Sequence, residues 1–251
     1  MENRKIIHYK QIDSTNTELA RLALRGAMHG TVVTAEEQTA GRGRRGREWE
    51  SPAEDNIYMS ILLRPQIMPE KAPMITLVMA YAVAKVLKEH GFADVQVKWP
   101  NDLLVSGGKV CGILSEMVLA ECEVDYIIIG VGVNVNTQKF PEELKGKATS
   151  LYRAGGKFLK RQTLTTEIVD CFEKEYQKFE RYGDLSFLQD EYNQMLVNCG
   201  KEVRVLEPGN EYQAVALGIN QTGELRVRLE HGEETVIYAG EVSVRGVYGY
   251  I

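Results

Sequence analysis

The segment VDYIIIGVGVNVN, residues 124–136, is apolar almost without interruption. A strand with one wet face alternates apolar and polar residues, whereas a run like this reads as a central strand buried on both faces. A chain that contains it must build a sheet with layers on either side. PMITLVMAYAVAKVLKEH, residues 73–90, is apolar nearly all round and predicts a helix that is itself buried.

The remaining segments supply strands and helices around this pair. IIHYKQIDSTNTELARLALRGAMHG reads as strand, cap and helix: Asp13 or Ser14 caps the start, Leu19, Leu22 and Ala23 form the stripe, and Gly26 stops it. TVVTAEEQ and NIYMSILL are further strands. VQVKWPNDLLVSGGKVCGILSEMV gives strand, kink, strand, an SGG turn suited to the positive dihedrals of a hairpin, and another strand. Helices are expected over about residues 163–182 and 184–196. From Val197 onward short strands alternate with P-G-N, N-Q-T-G and H-G-E-E turns, which predicts a small barrel of four or five strands. The expected architecture is α+β: a central mixed β-sheet flanked by helices over residues 1–196, and a small C-terminal β-barrel over residues 197–251.

Composition narrows the partners. Thirty Lys and Arg against 35 Asp and Glu leave a net charge of −5, so whole-surface attraction to nucleic acid or anionic lipid is not expected. An anion must be met by a local cluster. Cys111, Cys122, Cys171 and Cys199 lie far apart with no C-x-x-C pair, the usage of a reduced, cytoplasmic protein. His8, His29, His90 and His231 have no metal-ligand spacing, and no resident metal site is expected. The N-terminus has no apolar signal core and no run approaches membrane-spanning length.

The one dense basic cluster is GRGRRGREW, residues 41–49, with four arginines and three glycines. Its first six residues satisfy G-x-G-x-x-G, but a dinucleotide fold needs an apolar helix next, and REWESPAEDN opens none. Runs of charge are usually solvated faces. Here the interleaved glycines set guanidinium forks on a backbone that bends close to a ligand, and the segment has almost nothing apolar to bury. It is expected to be mobile until an anion neutralises it. A nucleic-acid hook lacks support, since neither a helix-turn-helix nor an aromatic-rich basic strand accompanies it.

Two further clusters have plain readings when taken singly. In KWPNDLLVSGGKVCGILSE, Trp99-Pro100 can be an edge kink, Asn101-Asp102 an ordinary turn, and Lys109 a solvated lysine after a Gly-Gly turn. In GVGVNVN, Asn134 and Asn136 fall on one face of an apolar strand and need partners, either a ligand edge or a neighbouring loop.

Taken together and in this order, DSTN, Q-x-x-GRGRRGR-x-W-x-SP, KWPND, GGKVCGILSE and GVGVNVN resemble the biotin protein ligases, also called biotin–[acetyl-CoA-carboxylase] ligases. By motif the resemblance spans roughly residues 8–136, and the C-terminal barrel agrees with that family's layout. It implies a class II synthetase-like biotin/lipoate ligase fold with an SH3-like C-terminal barrel. The implied reaction joins biotin to AMP using ATP with Mg²⁺, then passes the biotinyl group to one lysine of a biotin carboxyl carrier protein. The catalytic motifs begin at residue 13, so a stand-alone ligase without a DNA-binding module is expected, with no DNA or membrane partner. The resemblance also admits a homodimer through the central sheet. A lipoate or octanoate ligase of the same fold and a non-catalytic biotin sensor are the competing readings.

The resemblance also implies roles for individual residues. Activation sets a carboxylate against a phosphate, and two unit charges about 4 Å apart near a surface interact by roughly 4 kcal/mol. Arg42, Arg44 and Lys109 match the positions that offset this repulsion, with Lys109 touching both reacting groups, Arg44 on the phosphate, and Arg47 a triphosphate contact. Ser14, Thr15, Asn16, Gln38, Gly41, Arg42 and Gly43 match the ureido pocket and its covering loop, and Gly112 and Leu114 line the valeryl chain. Trp49 matches the wall for the adenine ring and Asn134 its hydrogen-bond partner. Asp102 matches the group beside the reacting carboxyl that accepts or orients the proton of the attacking amine. Cys111 replaces a smaller residue and is expected to reshape the pocket slightly.

Overall fold

The computed structural model describes residues 5–53, 55–207, 210–239 and 243–246. The strands and helices are β1 (Ile6–Ile12), α1 (Thr15–Leu24), β2 (Val32–Gln38), β3 (Ile57–Leu63), α2 (Ala72–Glu89), β4 (Gln96–Lys98), β5 (Asp102–Val105), β6 (Gly108–Ala120), β7 (Glu123–Val133), α3 (Leu151–Gly155), α4 (Arg161–Tyr182), α5 (Gln189–Met195), β8 (Glu202–Glu207), β9 (Asn210–Ile219), β10 (Leu225–Leu229), β11 (Glu234–Ile237) and β12 (Ser243–Gly246).

The first seven strands form one sheet in the order β1-β2-β3-β7-β6-β5-β4. It is mixed: β1 runs parallel to β2, and the other neighbours are antiparallel. The apolar run forms β7, which lies in the middle of this sheet with β3 and β6 on either side. Ile127, Ile129, Val131 and Val133 face the main core with α2 and α4. Ile128 and Tyr126 face the other way and join Leu19 and Ala23 of α1, Val33 and Leu62 in a second cluster. α1 therefore packs on the opposite face from α2. Asparagine 134 and asparagine 136 lie just past the end of β7.

Several local expectations resolve cleanly. Ser106 (φ 49°) and Gly107 (φ 76°) form the two-residue turn joining β5 to β6, both in the left-handed region that such hairpins require. The helix expected over 163–182 is α4, and the one expected over 184–196 shortens to α5 because residues 183–188 turn before it starts. Ser14 is the N-cap of α1, yet its side chain makes no capping bond. Asp13 does not cap either: its carboxylate accepts from Ser14 N–H and pairs with Arg21. Arg42–Trp49 forms no α-helix; an isolated bridge joins Arg42 to Glu48, and Gly43 N–H donates to Arg47 O at 2.7 Å.

The expected C-terminal barrel is a five-stranded antiparallel sheet, ordered β11-β10-β9-β8-β12 among the described residues. Its buried residues, including Val203, Val205, Ala216 and Val227, belong to the same apolar cluster as α2. Polar ties reinforce the junction. Trp99 Nε1–H donates to Gly223 O at 3.0 Å, Leu185 N–H to Gln221 O at 2.8 Å, and Gln189 and Asn193 both reach Ile219.

Candidate active site

Strand register builds the floor of the site. Lys98, Asp102, Gly112, Gly132 and Tyr58 are successive cross-strand partners on β4, β5, β6, β7 and β3. Directly paired residues point to the same face, so one rung presents two charged side chains, then two glycines, then a tyrosine. The rung two residues along pairs Leu114, Gly130 and Ser60. The glycines leave bare backbone where side chains would otherwise stand. The indole of Trp49 rests there: a Cβ on Gly132 would meet its Nε1 at 2.5 Å, and one on Gly112 its Cζ3 at 2.8 Å.

The N-terminus of α1 closes one end of this floor. Asn16 lies over Gly130 so closely that a Cβ there would collide with its Oδ1. Asn16 Nδ2–H donates to Glu116 Oε2 at 2.7 Å, while its Oδ1 accepts from the Ser60 hydroxyl. Gln38 Oε1 accepts from the Thr15 N–H at 2.9 Å and its hydroxyl at 3.1 Å, and Gln38 Nε2–H donates to Ser51 Oγ. Ser14, Thr15 and Asn16 are buried. They line, with Gln38, Gly112 and Leu114, a cavity of about 50 Å³ whose wall also includes Arg42, Arg44, Trp49 and Lys109.

Beyond Trp49 lies a second cavity of about 980 Å³, lined among others by Asn134, Phe140, Leu144, Arg47, Arg204 and Arg245. Trp49 and Lys109 line both cavities and so form the partition between them. Trp49 Nε1 is buried and has no hydrogen-bond partner among the described residues. The Lys109 ammonium sits 5.1 Å from the centre of the indole ring and 2.7 Å from Asp102 Oδ1. Asn134 Nδ2–H donates to Thr149 O at 3.1 Å, which leaves its carbonyl oxygen directed by that bond.

The arginine loop folds over the same region. Arg44 donates to Asn101 Oδ1 at 2.9 Å; burial disfavours its charge, and the nearby Asp102 favours it. Arg42 pairs with Glu116 at 2.9 Å. Arg47 is exposed and reaches the rim of the larger cavity. Gly41 is buried and its carbonyl accepts from Trp49 N–H at 3.0 Å, so it sets the loop's base rather than the small cavity's wall. Gly43 lines the small cavity.

All the residues singled out in the sequence thus converge on one region of the sheet, with two adjustments. Asn136 serves a neighbouring loop, exchanging hydrogen bonds with Leu159 N–H and O, so only Asn134 faces a cavity. Cys111 does not shape the pocket: it is fully buried on the α2 side of the sheet, where burial pushes its thiol up. Other members of the site receive no role from sequence reasoning. Glu116 holds both Asn16 and Arg42, Asn101 holds Arg44, and Lys98 and Arg245 line a cationic recess together with Arg44, Asp102 and Lys109. Cross-strand register brings in Lys98, while Asn101 and Arg245 come from a loop and from the C-terminal sheet; a single sequence prints none of these placements.

Among the described residues no cluster of three or more His, Cys, Asp or Glu side chains is placed to hold a metal ion. No helix is long and apolar enough to cross a membrane.

Comparison with known proteins fits this geometry. A model of the biotin/lipoate A/B protein ligase family matches residues 8–134, and a model of the biotin protein ligase C-terminal domain matches residues 199–245. The bifunctional ligase/repressor BirA of Bacillus subtilis is 37% identical over 243 residues, covering 95% of this chain and 74% of its own length. The biotin–[acetyl-CoA-carboxylase] ligase of Paracoccus denitrificans is 32% identical over 239 residues, covering 93% of this chain and 98% of its own. The solved structure of the Aquifex aeolicus biotin protein ligase in complex with biotin and ATP superposes with a TM-score of 0.84, at 30% identity, over 97% of this chain and all of that one.

Proposed function

This chain belongs to the biotin/lipoate A/B protein ligase family, and from that premise we propose that it activates biotin with ATP to biotinyl-5′-AMP and transfers the biotinyl group to a lysine of a biotin carboxyl carrier protein. The observation that carries the reading is the shared wall: Lys109 and Trp49 border a small cavity on one side and a large cation-rimmed cavity on the other. An acid in the first and a nucleotide in the second meet at one ammonium.

Activation follows from this placement. The ureido end of biotin takes hydrogen bonds from Ser14, Thr15, Asn16 and Gln38, whose polar groups already converge at the start of α1. Gly112 and Leu114 flank the valeryl chain and bring its carboxylate to Lys109. Adenine packs on Trp49 and pairs with Asn134; Arg44 and Arg47 take the phosphate oxygens. Held in these positions, the carboxylate oxygen attacks the α-phosphorus and pyrophosphate departs, with fixed cations offsetting the charge that accumulates. Mg²⁺ bound to the ATP phosphates would supply further charge neutralisation for the departing pyrophosphate. In transfer, Asp102 orients the attacking amine from its place beside Lys109.

We assign residues 1–196 to the catalytic domain and 197–251 to the C-terminal domain, and place the protein in the cytoplasm, where its four unpaired cysteines stay reduced. The outer half of β6 pairs with β7 but not with β5, an open edge compatible with self-association through the sheet.

The test is a two-part assay: acid-dependent ATP–pyrophosphate exchange with biotin, lipoate and octanoate in parallel, then transfer to a carrier fragment bearing the target lysine. Exchange with biotin alone, followed by labelling, is expected; preference for lipoate or octanoate moves the chain to another branch of the family. Arg44 lines the small cavity and is anchored on Asn101. Arg44→Gly is therefore expected to release the adenylate at least tenfold faster, seen as biotinylation of bystander proteins; labelling confined to the carrier would contradict that retaining role.

A further inference from the structure

Asp102 Oδ1 is already engaged by the Lys109 ammonium at 2.7 Å, which suits Asp102 to orienting an amine. A second group lies on the same rung. Lys98 is the direct cross-strand partner of Asp102, which is the partner of Gly112 in the small cavity. Adjacent strands are about 4.8 Å apart, so Lys98 stands one strand spacing from Asp102 and two from Gly112, on the same face of the sheet. It is only 6% exposed, and it lines the recess shared by Arg44, Asp102, Lys109 and Arg245.

We propose that Lys98 is the proton acceptor of the transfer step, taking the proton of the acceptor lysine while Asp102 orients that amine. The inference rests on the ligase reading given above. As a neutral amine, Lys98 takes one proton from the acceptor ammonium. The freed nitrogen lone pair forms the C–N bond with the biotinyl carbonyl carbon, and the bond from that carbon to the phosphate oxygen breaks. The second N–H proton leaves on the phosphate of AMP. The ammonium of Lys98 then returns its proton to water.

The surroundings suit this duty. Asp102 on β5 favours the charged form, while Lys109 on β6, Arg245 on β12 and Arg47 of the arginine loop disfavour it; burial is the largest effect, and Lys98 is brought down to about 7. A base of that strength is substantially neutral at physiological pH, whereas the acceptor lysine at about 10.4 is almost wholly protonated. The anionic adenylate, once bound, moves Lys98 somewhat upward and strengthens it as an acceptor.

The test is single-turnover transfer from preformed biotinyl-5′-AMP to a carrier fragment, measured from pH 6 to 9 with the full-length protein. With Lys98 as acceptor, the parent rate rises through about pH 7–8 and then flattens. In Lys98→Arg, which keeps the charge and cannot accept a proton, transfer is expected to fall at least ~50-fold more than biotin-dependent pyrophosphate exchange. The residual rate should climb about tenfold per pH unit to pH 9, following the free acceptor amine. Lys98→Met should show the same slope, and it carries the test if the arginine variant does not fold. A parent-like rate and plateau in Lys98→Arg overturns the inference, as does an equal fall in exchange and transfer, which marks Lys98 as an anion contact only. A parent protein that forms no biotinyl-adenylate overturns instead the ligase reading.

Discussion

Lys109→Ala is expected to lower biotin-dependent pyrophosphate exchange by about a thousandfold while weakening biotin binding by less than about tenfold. Lys109 is the one cation that borders both cavities from inside the sheet. Two unit charges at about 4 Å near a surface interact by roughly 4 kcal/mol, and roughly 1.4 kcal/mol of barrier is tenfold in rate. Losing this ammonium therefore removes about three decades of stabilisation where carboxylate and phosphate are forced together. Biotin binding should suffer less, because the proposed ureido contacts, Ser14, Asn16 and Gln38, line the small cavity and do not depend on Lys109. Steady-state exchange and biotin calorimetry on the same preparation check both halves. Exchange within tenfold of the parent would remove Lys109 from the chemistry. Lys109→Arg is not expected to restore the rate, since a broad planar fork does not fit between Asp102 and the indole.

Gly130→Ala should act from the opposite side, through shape alone. The added methyl falls on Asn16 Oδ1, and Asn16 is buried and tied to Ser60 and Glu116. The start of α1 must shift outward, at a cost of about 1–3 kcal/mol in stability. The same shift opens the hydrogen-bond set meant for the ureido group, so biotin affinity should fall by at least about a hundredfold. The adenylation rate at saturating biotin should change far less, because Lys109 stands on another strand. Unchanged biotin affinity in a folded Gly130→Ala protein would dispose of the glycine floor as a determinant of the pocket.

This floor shows what a linear reading reaches and what it does not. GVGVNVN identifies a buried central strand from its lack of alternation, and SGG identifies the β5–β6 turn from dihedral demand alone. Both are local properties. That Gly112 and Gly132 stand side by side beneath Trp49 depends on how β6 registers against β7. The motif resemblance supplies most of the residues that meet there. It contains Glu116 and Lys98, in GGKVCGILSE and KWPND, but gives them no role: Glu116 appears as one more polar residue in a strand, and the burial of Lys98 follows from its position opposite Asp102. The two asparagines after β7 have the same residue type and spacing, yet Asn134 reaches a cavity and Asn136 braces a loop. Only the path of the chain after β7 separates them. Capping fails in a similar way: a serine and an aspartate at a helix start are read as caps, and here Gln38, from a distant strand, occupies the Thr15 N–H instead.

The bond from the Trp99 indole to Gly223 O also limits how relatives of this protein can be recombined. Trp99 lies between Lys98 and Asn101, so the loop between β4 and β5 is fastened by a turn of the C-terminal sheet. A chimera spliced near residue 197 replaces that fastening with a foreign turn, and the loop inherits whatever seat the new turn provides. The inherited unit is therefore the loop together with its seat, and descent should be traced through that pair rather than through either half.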